Sequence, residues 1–190
     1  MNTPPAFTKD DSVLVVVDIQ GLFRSLIDDI GLVIANSSRL MRFFAKLDLP
    51  MVVTEHYPEK LGGTVPELAE LTTSPPVEKI SFSCAGCDDF ISRLEATGRR
   101  QVILCGIETH VCVYQTARDL LEKGFQVAVA ADAVSSRLAL SRDLGLRAME
   151  QVGTRIMSTE MLMFEILQVA LTDDFRAVAA ELKECPRPQS

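Results

Sequence analysis

The residues Val102-Ile-Leu-Cys-Gly-Ile-Glu-Thr-His-Val-Cys112-Val-Tyr-Gln-Thr-Ala-Arg-Asp-Leu-Leu121 read as a strand, a turn and a helix. Residues 102–105 form a short continuous apolar run, the mark of a strand covered on both faces. Gly106 permits a sharp turn. Thr109 is a candidate N-cap, and Val113, Ala117, Leu120 and Leu121 then repeat at helical spacing until Lys123-Gly124 stops them. With Thr109 as cap, Cys112 is the third residue of the helix, where unpaired N–H groups and the macrodipole favour a thiolate over a thiol. The competing reading is that Cys112 is a small buried hydrophobe, the common state of a free cysteine.

The same alternation recurs outward from this stretch. Upstream, Ser12–Val17 is a β-branched run suited to a central strand, and Asp18-Ile-Gln20-Gly follows it directly. The Asp18 carboxylate therefore sits at the C-terminal end of that strand. Residues 31–47 suit a helix, with Ile34, Leu40, Met41, Phe44 and Leu47 inward and Arg39, Arg42 and Lys46 opposite. Residues 51–54 form a second strand. Residues 55–74 are loop-rich with room for a helical turn at 66–71, and residues 77–80 form a third strand ending near Lys79. A helix at 88–97 closes on Gly98. Downstream come a fifth strand at 125–131, a loop at 132–136, a helix at 141–152 and a sixth strand at Arg155–Met157. Helices at 159–171 and 173–182 end the chain.

Strands alternating with helices imply a three-layer α/β/α fold around a mostly parallel, Rossmann-like six-stranded sheet. The expected strand order is 3-2-1-4-5-6. No internal repeat or linker is present, so residues 1–190 read as a single domain with a core over about 11–182. In such sheets ligands bind beyond the carboxyl ends of the strands, where the order reverses, here between strands one and four. That topology brings Asp18, Lys79 and Cys112 to one rim.

Composition bounds the function. The 190 residues suffice to bury roughly 70% of the surface exposed when unfolded. Apolar content is 47% and the net charge is −7 with no Lys/Arg block, which argues against a nucleic-acid partner. Asp18, Glu165 and Gln168 interrupt the longest apolar stretches, so no membrane span is expected. The N-terminus lacks a basic region followed by an apolar one, the pattern of a secretory signal. Five cysteines without regular spacing suit reduced thiols in a cytoplasmic protein.

A cysteine hydrolase needs a base for the thiol proton and donors for the oxyanion. Of the two histidines, His110 lies two residues before Cys112 on a turn and points elsewhere, while His56 follows the second strand and reaches the rim. Asp18 is the better base, and Lys79 offsets its charge. Taken singly, Asp18 is a polar strand end and Lys79 a solvated charge on an edge strand; their convergence with Cys112 is what points to chemistry. Cys84-Ala-Gly-Cys87 lacks both the context of a redox pair and the second pair of a metal site. It reads as a turn shaping the pocket, with Phe82 as a wall, and Gln20, Phe23 and Tyr57 are further lining candidates.

Val15-Val-Val-Asp18-Ile-Gln20, Val77-Glu-Lys79 and Gly106-Ile-Glu-Thr-His-Val-Cys112-Val resemble the three signature segments of the isochorismatase-like cysteine hydrolases. The similarity runs from about residue 12 to 157, and the cysteine segment is its most specific part. The resemblance implies a catalytic triad of Asp18, Lys79 and Cys112. It also implies a cis peptide at Ile107–Glu108, with the backbone N–H groups of Glu108 and Cys112 as the oxyanion hole. Val53-Thr-Glu55-His-Tyr57-Pro and the following Leu61-Gly-Gly-Thr-Val-Pro-Glu67-Leu look most like the isochorismatase domain-containing branch. Nicotinamidases of the superfamily carry an Asp/His metal cluster after the second strand; only His56 stands here, so no metal and no cofactor are expected. Isochorismatases proper commonly lack the cysteine, so Cys112 favours hydrolysis of a C–N bond in a small-molecule amide or carbamoyl substrate. A vinyl-ether hydrolase or a non-catalytic binding protein are the alternatives. The resemblance further implies a homo-oligomer, a dimer or tetramer. Met161-Leu-Met-Phe164 is a candidate contact surface, with ordinary core as the competing reading.

Overall fold

A computed structural model describes residues 5–184 and Pro186. The expected single unit of residues 1–190 thus extends beyond the described residues at both ends. Six parallel strands form one sheet: β1 (Ser12–Val17), β2 (Met51–His56), β3 (Val77–Lys79), β4 (Gln101–Ile107), β5 (Gln126–Ser135) and β6 (Arg155–Met157). Their order is β3-β2-β1-β4-β5-β6, as the alternation of strands and helices implies.

The sequence of β1 explains its central place. Every residue of it is buried, and successive side chains enter opposite layers. Leu14 and Val16 pack with Phe43, Phe44 and Ile103, whereas Val13, Val15 and Val17 pack with Phe90, Leu104 and Leu120. A strand covered twice needs apolar residues at every position, hence the uninterrupted run. The first layer is built on α1 (Ile30–Lys46), α3 (Pro66–Ala69) and α7 (Thr159–Leu167). The second is built on α4 (Asp88–Ala96), α5 (Tyr114–Glu122) and α6 (Ala139–Gln151).

Several local expectations are corrected. Gly106 makes no turn: it lies inside β4 at φ +119°, where an added Cβ would sit 2.0 Å from the Val17 carbonyl oxygen. Glycine is required there because neighbouring backbone fills the space of a side chain. The register with β5 shifts between Leu104 and Gly106, and β5 continues to Ser135 through residues read as loop. Thr109 does not cap a helix. Residues Thr109–Val113 form a π-helical turn before α5, in which the Glu108 carbonyl accepts the N–H groups of Val111 (3.0 Å) and Val113 (3.2 Å). Thr109 is buried there, its hydroxyl without a hydrogen-bond partner among the described residues.

A short α2 (Pro58–Leu61) occupies part of the stretch read as loop, opened by a proline at its start. The chain end holds α8 (Asp173–Ala177) and α9 (Ala179–Lys183), not one helix, with the Thr172 hydroxyl accepting from the Phe175 N–H at 3.1 Å. Of these, α9 covers part of the expected polar face of α1. Arg39 is buried, donating to the Glu181 carbonyl (2.5 Å) and the Leu182 carbonyl (3.3 Å). Burial is tolerated because α9 supplies acceptors. The Met161–Phe164 stretch splits: Leu162 and Met163 are core, while Met161 and Phe164 are exposed.

Candidate active site

Four neighbouring strands, β3, β2, β1 and β4, build the site. Asp18, directly after β1, adopts a left-handed backbone (φ +53°) that turns its side chain back over the sheet edge. Its carboxylate is buried and held from both sides: Thr54 of β2 donates its hydroxyl to Oδ1 at 2.7 Å, and Lys79 of β3 donates to Oδ2 at 2.6 Å. The Lys79 ammonium also donates to the carbonyls of Ser81 (3.2 Å) and Phe82 (3.3 Å). An ammonium has three N–H donors, so all three are occupied. Burial acts against this charge, but Cys84, Asp18 and Cys112 around it outweigh burial and its pKa is raised.

Cys112 lies in the π turn, 8% exposed, and shares a cavity of about 90 Å³ with Asp18. Burial, and then the Asp18 charge, push its thiol up to about 12, with Lys79 pulling the other way. The expected preference for a helix-end thiolate is opposed here by burial and by the neighbouring Asp18 charge. A π turn carries fewer aligned amides than an α-helical N-terminus, and low dielectric penalises the anion. Such a pair can move its proton to the carboxylate as sulfur attacks an electrophile.

Phe23, Phe82, His56 and Val111 wall this cavity, and Glu108 lies at its rim. The Ile107–Glu108 peptide is cis. His56 stacks on Phe82 at 5.5 Å between ring centroids. Burial and the Lys79 charge lower its pKa below the ordinary 6.5, leaving it neutral at physiological pH. His110 points away from the cavity, with Nδ1 3.0 Å from the Ser136 hydroxyl.

Two lining expectations are corrected. Gln20 does not face the cavity; it is buried, donating to the carbonyls of His56 (3.0 Å) and Gly62 (2.6 Å) and accepting from the His56 N–H (2.9 Å). It braces the end of β2. Tyr57 lines a different, larger cavity of about 450 Å³, whose lining includes Lys79 but not Asp18 or Cys112. Its left-handed backbone (φ +41°) turns it away from the strand end.

The structure also adds residues. Thr54, read only as part of a strand, is the second donor to Asp18. The Cys84 thiol sits 3.7 Å from the Thr54 hydroxyl, and the Cys84 N–H donates to Thr116 at 2.8 Å. Burial and the Asp18 charge push the Cys84 thiol up to about 11. Cys84, Cys87, Cys105 and Cys112 are all free. The signal for Thr54 was available, since a polar residue follows an apolar run in the strand next to the Asp18 strand.

Fold and site together define the class: a doubly wound parallel sheet with a buried polar cluster at its switch point. The chain belongs to the isochorismatase domain family, whose profile matches residues 12–161. The secreted isochorismatase effector Isc1 of Phytophthora sojae is 38% identical over 180 residues, covering 91% of this chain and 85% of its own. Isochorismatase domain-containing protein 2 of Danio rerio is 39% identical over 168 residues, covering 88% and 84%. Among solved structures, a Caenorhabditis elegans protein described as MAR1 ribonuclease superposes with TM-score 0.91 at 35% identity, over 97% of this chain and 96% of that one. The Escherichia coli YcaC product, described as an octameric hydrolase of unknown specificity, gives TM-score 0.89 at 25% identity, over 95% and 91%. Among the described residues, no helix is long and apolar enough to cross a membrane.

Proposed function

We propose that this protein hydrolyses the C–N bond of a small, uncharged amide or carbamoyl compound through a thioester on Cys112. The observation that carries the proposal is the meeting of Cys112 with the Lys79-bound Asp18 carboxylate in one cavity. Cys112 sulfur attacks the carbonyl carbon while its proton passes to Asp18. The oxyanion lies against the backbone N–H groups of Glu108 and Cys112, with the Lys79 charge nearby. Asp18 returns the proton to the leaving amine, the C–N bond breaks, and a water deprotonated by the same carboxylate cleaves the thioester.

Size and charge support an uncharged substrate. The cavity beside Cys112 is a small one, about 90 Å³, which suits a small substrate. Lys79 has no N–H left for a substrate anion. A dicarboxylate such as isochorismate, or a phosphodiester, would meet the Asp18 carboxylate, whose partner Lys79 already has its three N–H groups engaged. The net charge of −7 also disfavours the substrate class that the ribonuclease description of the nematode neighbour would suggest.

The proposal includes a cytoplasmic, homo-oligomeric enzyme, a dimer or tetramer. Free thiols at all four described cysteines support the compartment. Exposed Met161 and Phe164, with exposed Leu138, Leu140 and Leu144, support the assembly.

The test is to incubate wild type and Cys112→Ala with small amides, ureas and isochorismate, following ammonia and pyruvate. Ammonia from wild type alone is the expected result. Pyruvate from both proteins would instead establish an ether hydrolase, and inactivity of folded wild type across the panel would favour a binding role.

A further inference from the structure

The segment joining β5 to α6 grips the turn that carries Cys112. Glu108 Oε2 accepts from the Arg137 backbone N–H at 2.9 Å and from Arg137 Nε at 3.1 Å. Next to it, the Ser136 hydroxyl lies 3.0 Å from His110 Nδ1. Gly145 of α6 then packs directly on the same backbone, where an added Cβ would come within 2.9 Å of the His110 Cα and N. The segment is itself anchored on the far side. The Ser135 hydroxyl donates to the Asp28 carbonyl at 2.6 Å, and the Asp28 N–H donates to the Ser136 carbonyl at 3.1 Å.

Glu108 is the residue on which these contacts converge. Its carbonyl closes the π turn through Val111 and Val113, and the residue lines the cavity that holds Cys112. The Glu108 side chain is 10% exposed, whereas Arg137 is 61% exposed. An ion pair with one partner in water adds only about 0–1 kcal/mol to folding. Fold stability alone gives Arg137 little reason to reach back over the site. Orientation gives a better one, because an oxyanion donor works only within about 2.7–3.1 Å of the developing charge.

We infer that Arg137 is a positioning residue of the active site: by holding the Glu108 carboxylate it fixes the Glu108 peptide against the carbonyl under attack. The inference rests on the cysteine-hydrolase reading above. Arg137 does not touch substrate, and its effect reaches the reaction only through Glu108.

Two probes on the full chain separate this role from general loosening. Propanal adds the Cys112 thiol across its carbonyl; the C–S bond forms, and the carbonyl π pair stays on oxygen, which takes the thiol proton. The resulting hemithioacetal oxygen needs the Glu108 N–H. Iodomethane is displaced by the same sulfur at an sp³ carbon, with loss of iodide and of the thiol proton to solvent, and builds no oxyanion. Arg137→Ala is expected to weaken propanal binding about tenfold while leaving the iodomethane rate within about twofold. Arg137→Lys is expected to restore part of the loss, and Glu108→Ala/Arg137→Ala to bind propanal no worse than Glu108→Ala alone. Unchanged propanal affinity in Arg137→Ala, equal losses with both probes, or additive losses in the double variant would each overturn the inference. Absence of a propanal adduct on wild-type Cys112 would overturn the cysteine-hydrolase reading and this inference with it. An adduct on wild type with full affinity in Arg137→Ala would overturn the inference alone.

Discussion

The Thr54 hydroxyl donates to Asp18 Oδ1 at 2.7 Å, on the opposite side of the carboxylate from Lys79. Both donors come from strands on one side of β1, leaving the other side of Asp18 to Cys112. This asymmetry makes the carboxylate an acceptor held in place and turned toward the thiol.

Replacing Thr54 by valine keeps the shape and removes one donor. The buried carboxylate then has an unmet acceptor site, which costs about 1–3 kcal/mol. Urea unfolding of Thr54→Val should show that loss with an unchanged m-value. Stability equal to wild type would mean the hydroxyl contributes nothing to holding Asp18.

Lys79→Met leaves the Asp18 charge buried without its partner. The two side chains are 0% and 2% exposed, so little water screens the loss, expected at about 3–5 kcal/mol. Asp18→Asn/Lys79→Met removes both charges and should recover a large part of it. Thermal melts of the three proteins check both statements, and a double variant no better than Lys79→Met would count against a charge-based cause.

Cys112 reactivity and turnover should respond oppositely to Asp18→Asn. The Asp18 charge is one cause of a thiol pushed up to about 12, so removing it lowers the Cys112 pKa. At a fixed pH below that value more thiolate is present, and iodomethane should alkylate Cys112 faster in the variant. On the proposed mechanism, amide hydrolysis should fall by roughly 10²-fold or more, because the base is gone. In wild type the alkylation rate should keep rising through the alkaline range, with no plateau near neutrality.

His56 gives a pH dependence of known sign. Its folded pKa lies below the unfolded 6.5, so the unfolded chain binds the proton more readily. Its contribution to stability is full above the unfolded value and is lost as pH falls through 6.5 toward the folded pKa. The stability difference between wild type and His56→Gln should therefore shrink across that window in chemical unfolding run at several pH values. A difference that is flat from neutral to mildly acid pH would show that His56 is not held neutral.

Much of the fold was legible before any coordinates. The apolar run of Ser12–Val17, the helical spacing after Cys112 and the repeated strand–helix alternation were enough for a parallel sheet, and the order expected for it, 3-2-1-4-5-6, is the one found. Strand order then placed Asp18 and Lys79 on the Cys112 rim, and the motif resemblance named them together. Gly106 and Thr109 depart from the local expectation because their signals have two meanings. A glycine after an apolar run marks a turn or a close backbone contact, and only the position of the Val17 carbonyl decides between them. A threonine before a helix is a cap only where an α-helical turn begins.

What the sequence by itself determined is the alternation of strands and helices and the identity of the chemical groups at the strand ends, because both are carried by local periodicity and short motifs. Only the tertiary structure decided that Gln20 braces β2, that Tyr57 faces another cavity, that Thr54 and Cys84 stand behind Asp18, and that Arg137 holds Glu108. Each of these depends on a hydrogen bond or a direction fixed between segments about 30 residues or more apart, or on the hand of one backbone turn. The protonation of Cys112 depends likewise on assembled neighbours. A thiol at the start of a helix reads as acidic in one dimension, and burial next to a carboxylate opposes that in three.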